Sequence, residues 1–237
     1  MGRHFEVRAK AMAATAAAKT KIYSKYGKEI YIAAKAGVPD PAMNMTLKRV
    51  IEKAKSEQVP ADVIKRAIDK AAGGTDESFT SVVYEGFGPG NSKFIVECLT
   101  NNVNRTATAV KTCFNRAHSK LGVPGCVSHE FDHCAVVSLT DTDEDTVLGA
   151  MLEGEVEIDD IEAEDGNVVI YGPTTSLYEM KEAAEKAGLN VASYEITWVP
   201  SEYCTVEGED KEMFDRLINL LNEDDDVQDV YHNVKVD

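Results

Sequence analysis

Cys126, His129, His133 and Cys134 fall within nine residues of one another, and two thiols with two imidazoles are the donor set of a structural zinc site. Such a site needs four side chains converging on one point, usually as two close pairs on a chain that loops back. The stretch GCVSHEF reads as a strand, which sends Cys126 and His129 to opposite faces. One or two ligands can meet there but not four, so core thiols and surface histidines are expected and no metal is assigned. A second candidate is YEGFGPGN, with Gly86, Gly88 and Gly90 at alternate positions. A phosphate cradle needs backbone N–H groups converging at a helix start. Here Pro89 has no N–H, and the β-rich run of Phe94, Ile95, Val96 and Leu99 follows. With no Gly-Lys-Ser/Thr and no G-x-G-x-x-G register, the loop is expected to be a turn into a strand.

Acids crowd the last hundred residues, as in DTDEDT, EIDDIEAED and NEDDDVQD, without a nucleophile or histidine tied to them by spacing. They read as helix caps and solvated faces. No Gly-x-Ser-x-Gly or His-Glu-x-x-His occurs, so no catalytic residue and no cofactor are assigned. An enzyme using the Cys/His cluster or an acidic cleft around a metal is the most remote reading, and a pure protein–protein adaptor is another.

The chemistry that charge does support is anion binding at one end. The 237 residues carry a net charge of −16, with 43% hydrophobic and 28% charged residues, as in a globular protein. Residues 1–72 hold 15 Lys and Arg against 7 Asp and Glu, whereas residues 135–237 hold 5 against 28. A basic head on an acidic body points to a partner that meets one end only. Arg3, Arg8, Lys10, Lys19, Lys21, Lys25 and Lys28 are the candidate nucleic-acid contacts of the head. Asn102, Asn104 and Arg105 in TNNVNRT are candidates at a strand-to-helix turn. Capping accounts for one or two asparagines, but Arg105 stands where the helix dipole disfavours a cation.

The elements that must position these residues follow from periodicity. In TKIYSKYGKEIYIAAKAG, Ile22, Tyr26, Ile30 and Ala33 line one helical face, with Lys21, Lys25, Lys28 and Lys35 on another. One side can pack while the other meets an anion. A helix capped by Asn44 buries Leu47, Val50, Ile51 and Ala54, and one opening at Pro60 ends at Gly73-Gly74. GGTDESFTS reads as a linker. KFIVECL is then a strand, NNVNRTATAVKTCFNRAHSKLG a helix and GCVSHEF a second strand. From AVVSL to VASYEITWV the order is β-α-β-β-α-β, the ferredoxin-like order. A short strand at Tyr203 to Val206, the helix KEMFDRLINLLN and the strand VQDVYHNV complete a second such unit with residues 92–132. The fold class is α+β in three domains: a helical domain at 1–78, a discontinuous middle domain at 79–134 and 200–237, and an inserted acidic domain at 135–199.

Five cysteines without a C-x-x-C pair fit a reducing compartment. No apolar run reaches the length of a membrane span, and the first residues lack a signal-peptide core, so a cytoplasmic location and no membrane partner are expected.

KIYSKYGKEIYIAAKAGVPDP, LKRVIEKAKSEQVPADVIKRAIDKAAGG, YEGFGPG, and above all LTNNVNRT followed by GVPGCVSHEFD resemble the YebC/PmpR family. The resemblance implies three domains, the third inserted in the second, and no cofactor, metal, small-molecule substrate or catalytic residue. It also implies a DNA-binding transcriptional regulator or, by other members, a translation factor at the ribosome that meets ribosomal RNA or tRNA and acts on proline-rich nascent chains. This chain opens Gly2-Arg3-His4-Phe5 with an alanine-rich AMAATAAA where the family has a lysine-rich first helix. Fewer phosphate contacts lower the expected affinity for bare duplex.

Overall fold

Tyr26, Ile30, Ala33 and Ala34 recur at helical spacing and close over one another with Leu47, Ile51, Ala54, Ile64, Ala67 and Ala71. This is the core of the head in the computed structural model, which describes residues 16–74 and 78–235. Helix α1 spans Ala16–Lys35, α2 Met45–Ser56 and α3 Ala61–Ala72. Asn44 caps α2 as expected: its Oδ1 accepts from the Leu47 amide at 3.0 Å. Its Nδ2 also donates to the carbonyls of Ala33 and Val38, which ties the end of α1 to the start of α2. A cap of this kind is worth about 1 kcal/mol.

The chain continues through β1 (Thr80–Phe87), β2 (Lys93–Thr100), α4 (Val103–Arg116) and β3 (Lys120–Leu121). It then enters β4 (Phe131–Thr140), α5 (Glu144–Glu153), β5 (Asp160–Glu164), β6 (Asn167–Gly172), α6 (Leu177–Lys186) and β7 (Asn190–Pro200), and returns through α7 (Gly208–Glu223) to β8 (Val227–His232). Two antiparallel sheets result, ordered β3-β1-β2-β8 and β5-β6-β4-β7. Helices α5 and α6 bury Val147, Met151, Met180 and Ala184 against the second sheet. Helices α4 and α7 bury Val110, Phe114, Leu217 and Leu221 against the first.

The second sheet follows the β-α-β-β-α-β order read from the sequence. The first has the same spatial plan by another path, because the inner position beside β2 is filled by β1, which comes before it in the chain. Three local readings change accordingly. TSVVYEGF, expected as linker and turn, is strand β1, and only Gly88 to Ser92 turns. GCVSHEF is not a strand in the first sheet: Ser128–Glu130 is a 3-10 turn, and Phe131 begins β4 of the second sheet. Tyr203 to Val206 contributes a single bridge, Cys204 with Val234.

Glycine misled the reading of β1 because its role there is packing. A Cβ on Gly86 would lie 2.4 Å from Cε1 of Phe114 and 2.9 Å from the Lys120 carbonyl oxygen. Helix α4 can rest on β1 only where that side chain is missing. Gly86→Ala should therefore destabilise the protein by about 2 kcal/mol in urea denaturation, through forced displacement of Phe114.

Phe94 is fully buried and packs edge-on to Phe114, with Phe214 and His232 around it. Burying such a ring contributes about 2–3 kcal/mol. Burial holds the His232 imidazole neutral, with its pKa pulled down to about 4 against the weaker upward pull of backbone hydrogen bonds. Its Nδ1 accepts from the Val234 amide.

Candidate nucleic-acid interface

The polar face of α1 does meet anions, and they belong to this chain. Lys25 Nζ lies 2.6 and 2.5 Å from the two carboxylate oxygens of Asp229 on β8. One turn on, Lys28 Nζ donates to the carbonyls of Asp225 and Leu99 and lies 3.1 Å from Asp226 Oδ1. Burial opposes the charge on Lys25, but Asp229 outweighs it and the pKa is raised. Lys21 has no such relief. Its Nζ is buried without a hydrogen-bond partner among the described residues, and burial, helped by the nearby Lys25, lowers its pKa against the pull of Asp229. Lys21, Lys25 and Lys28 thus line the seam between the head and the first sheet.

Asp226 joins three elements. Its Oδ2 accepts from Arg105 Nη2 at 2.6 Å, and the hydroxyls of Thr106 and Thr100 lie 2.9 and 3.0 Å away. Burial alone would raise its pKa, but the donors of Arg105, Thr106 and Lys28 outweigh burial and hold it at about 2. This explains an arginine in the first turn of α4: its cation is there for Asp226, across the chain. Asn101 Oδ1 accepts from the same guanidinium. The Arg105 side chain nonetheless remains 55% exposed, which leaves N–H groups facing outward.

Asn102 is the cap of α4, accepting from the Arg105 amide at 3.1 Å. Asn104 is exposed on the first turn. Lys19 is exposed on α1, while Arg3, Arg8 and Lys10 lie outside the described residues. Lys48 and Lys55 on α2 and Lys65 on α3 are not among the candidates named from the sequence. All three are exposed and have no ion pair among the described residues. Their signal was available, since they occupy the polar faces of helices whose apolar faces had been read. Asp226 and Asp229 had none: an acid run after a helix looks like a cap until its partners are seen.

The Cys/His cluster disperses. Cys134 is buried beside Val136 and Tyr171, and burial pushes its thiol up to about 11. His133 stacks on Trp198 with ring centroids 4.3 Å apart, and His129 is exposed. Cys126 packs near Ile95 and Phe131. Among the described residues no group of three or more His, Cys, Asp or Glu is placed to hold a metal ion.

Further contacts hold the bodies together. The Arg49 guanidinium of α2 lies 3.8 Å over the ring of Tyr178 on α6. Trp198 of β7 donates its indole N–H to Glu97 of β2 at 2.9 Å. A cleft of 420 Å³ remains where α1, α2, β7 and β8 meet, lined by Tyr26, Tyr203, Tyr231, Lys53, Glu57 and Glu195 among others.

A family model described as the TACO1/YebC protein N-terminal domain matches residues 3–74. Another, described as the TACO1/YebC second and third domain, matches residues 79–234. The chain belongs to the TACO1/YebC family. Among TACO1/YebC proteins, a probable transcriptional regulatory protein of Alteromonas mediterranea is 52% identical over 235 residues, covering 98% of each chain. One of the same name from Pseudoalteromonas atlantica is 52% identical over 239 residues, covering 100% of this chain and 98% of its own. A crystal structure of a conserved hypothetical protein from Aquifex aeolicus superposes with a TM-score of 0.75 at 33% identity, covering 97% of this chain and 93% of that one. The α+β class and its helical N-terminal part are therefore those of the TACO1/YebC family. No helix among the described residues is long and apolar enough to cross a membrane.

Proposed function

We propose that this TACO1/YebC chain is a non-enzymatic regulator of gene expression that binds nucleic acid through its head. The observation that carries the reading is the set of exposed bases Lys19, Lys48, Lys55 and Lys65, without an ion pair among the described residues, on a head that Lys25 and Lys28 already hold to an acidic body. Arg3, Arg8 and Lys10 add to the positive charge of that end. Lys21, Lys25 and Lys28 belong in this arrangement to the docking of the head, so binding does not depend on them. Relatives named as probable transcriptional regulatory proteins support a role in transcription, for which DNA is the target.

The second reading is a translation factor at the ribosome. It is favoured by the acidic body, which repels phosphate on either side of the head and shortens any footprint on bare duplex.

Full-length protein and Lys48→Glu/Lys55→Glu separate the two. On the DNA reading, the double variant binds a duplex of about 30 base pairs at least tenfold more weakly, and its slope of log affinity against log salt is shallower by about 2. On the ribosome reading, wild type co-sediments with ribosomal RNA in sucrose gradients and the variant stays at the top. If the variant binds both targets like wild type, the head is not the binding surface.

A further inference from the structure

Between Glu97 and Glu130 the chain has no Asp or Glu, although it carries 41 of them in all. Helix α4 lies inside this acid-free stretch. Its outward residues Asn104, Thr108, Lys111, Thr112 and Asn115 fall within an arc of about 100° and all are exposed, with Arg116 exposed at the border. The other helices of the body treat exposed positions differently. Glu144 and Asp145 on α5, Glu182 and Glu185 on α6, and Asp210 and Asp215 on α7 are all exposed. Two of the bases there pair within the helix, Lys181 with Glu185 and Lys211 with Asp215, and the other two, Lys186 and Arg216, stand on helices where acids outnumber bases. Lys111 and Arg116 have no ion pair or side-chain hydrogen bond among the described residues.

Thr and Asn are poorer helix formers than the Glu and Lys that occupy such positions elsewhere in this chain. Thr108 and Thr112 donate their hydroxyls back to the carbonyls of Asn104 and Thr108, which leaves their oxygen lone pairs facing solvent. The amides of Asn104 and Asn115 offer both donors and acceptors. The face is therefore rich in hydrogen-bonding groups, flanked by unpaired cations and free of carboxylates.

We infer that this outer face of α4 is a second contact surface, and that its occupant is single-stranded RNA. The inference rests on the nucleic-acid reading proposed above and names a separate surface and target for it. Charge complementarity selects a polyanion. Helix α7 then selects a single strand over a duplex. It packs directly beside α4, with Cys113 Sγ 3.6 Å from the Leu220 carbonyl, and helices in contact lie about 8–10 Å apart. A major groove about 12 Å wide that received α4 would carry phosphates along both flanks. One of those rows would run over α7, which has Glu209, Asp210, Glu212 and Asp215 exposed. A single strand has one row of phosphates, and its unstacked bases and 2′-hydroxyls can use the Asn and Thr groups.

The test compares full-length wild type, Lys111→Glu/Arg116→Glu and Lys48→Glu/Lys55→Glu. Probes are a mixed-sequence single-stranded RNA of about 15 nucleotides and a duplex DNA of about 30 base pairs, at about 100 mM salt. The α4 variant should weaken RNA binding at least tenfold and leave duplex binding within twofold of wild type. Thr108→Glu/Thr112→Glu, at positions where Glu suits the helix better, should show the same RNA loss without a change in thermal stability. Lys111→Ala/Arg116→Ala should reduce the salt slope for RNA by about 1.4. If both α4 Glu variants bind RNA like wild type while the α2 variant loses it, the α4 inference falls and the head reading stands. Wild type binding neither probe and no ribosome would overturn both. Should the α4 variants lose crosslinks to a basic protein but keep those to RNA, the surface would be a protein site and the inference would be wrong.

Discussion

Replacing Asp226 by Ala is expected to destabilise the protein by about 3 kcal/mol at neutral pH, at the lower end for breaking a buried ion pair. Asp226 is 8% exposed and holds Lys28 of α1, Arg105 and Thr106 of α4 and Thr100 of β2 on one carboxylate. Its loss leaves the Lys28 ammonium in the seam with only carbonyl partners, and frees the first turn of α4. Asp226→Asn keeps an acceptor but not the charge, so about half the effect is expected. Acid should act in the same way on wild type. The folded pKa of about 2 lies below the ordinary carboxylate value of 3.8, so the contribution is complete above about pH 4 and is lost as pH falls towards 2. That shift corresponds to about 2 kcal/mol. His232 acts in a higher window: with its folded pKa depressed to about 4 from 6.5, stability declines as pH falls from 6.5 towards 4. Urea denaturation followed by fluorescence of Trp198, the one tryptophan of the chain, separates these windows. Asp226→Ala should shrink the lower one to the share held by other carboxylates such as Glu85, and keep the upper. An unchanged acid profile below pH 4 would remove Asp226 as the junction.

Glu85→Ala should cost about 4 kcal/mol, the largest effect expected of any single substitution considered. The Glu85 carboxylate is 7% exposed and accepts three backbone N–H groups, from Gly125 at 2.7 Å and from Val127 and Ser128 at 2.8 Å. Removing it orphans three donors, each costing about 1–3 kcal/mol where water cannot replace the partner. Glu85→Gln keeps one acceptor oxygen but points an amide N–H at a donor, so about 2 kcal/mol is expected. Burial would raise the Glu85 pKa, but the three backbone donors outweigh it and lower it. Its contribution is thus present above the unfolded carboxylate value and fades as pH falls through the depressed folded one. Hydrogen exchange gives the local readout: the amides of Gly125, Val127 and Ser128 should lose protection in Glu85→Ala while the strand amides of β4 and β6 keep theirs. Unchanged protection would show that the turn holds itself.

Glu85 also explains why part of the fold was hidden in the residue pattern. GCVSHEF has the apolar alternation of a strand, yet its N–H groups go to a carboxylate forty residues earlier in the chain, and its last residue, Phe131, pairs with Pro200 in the other sheet. Competition between a local pattern and a distant acceptor leaves no trace in a window of seven residues. The helices were legible because 3.6-residue periodicity and caps are local: Asn44 and Asn102 accept from an amide three residues on, and Pro60 and Gly73 mark the two ends of α3. The β-α-β-β-α-β order of the second sheet was legible for the same reason, since each element turns back on its neighbour. Strand β1 was not, because glycine at 86 answers to the Phe114 ring and not to a turn.

The helices, the α+β class, the family and the segregation of positive charge into the head depend on residue order and composition and could be read from them alone. Where that charge goes depends on how the chain folds. Lys25 and Lys28 looked free because they stand opposite the apolar face of α1, but Asp229 and Asp226 lie about two hundred residues away in the chain and within hydrogen-bonding distance in space. Coulomb attraction depends on separation in space, not along the chain, so the partner of a lysine is chosen by the fold. The same folding leaves Lys48, Lys55, Lys111 and Arg116 exposed and, among the described residues, without an ion pair.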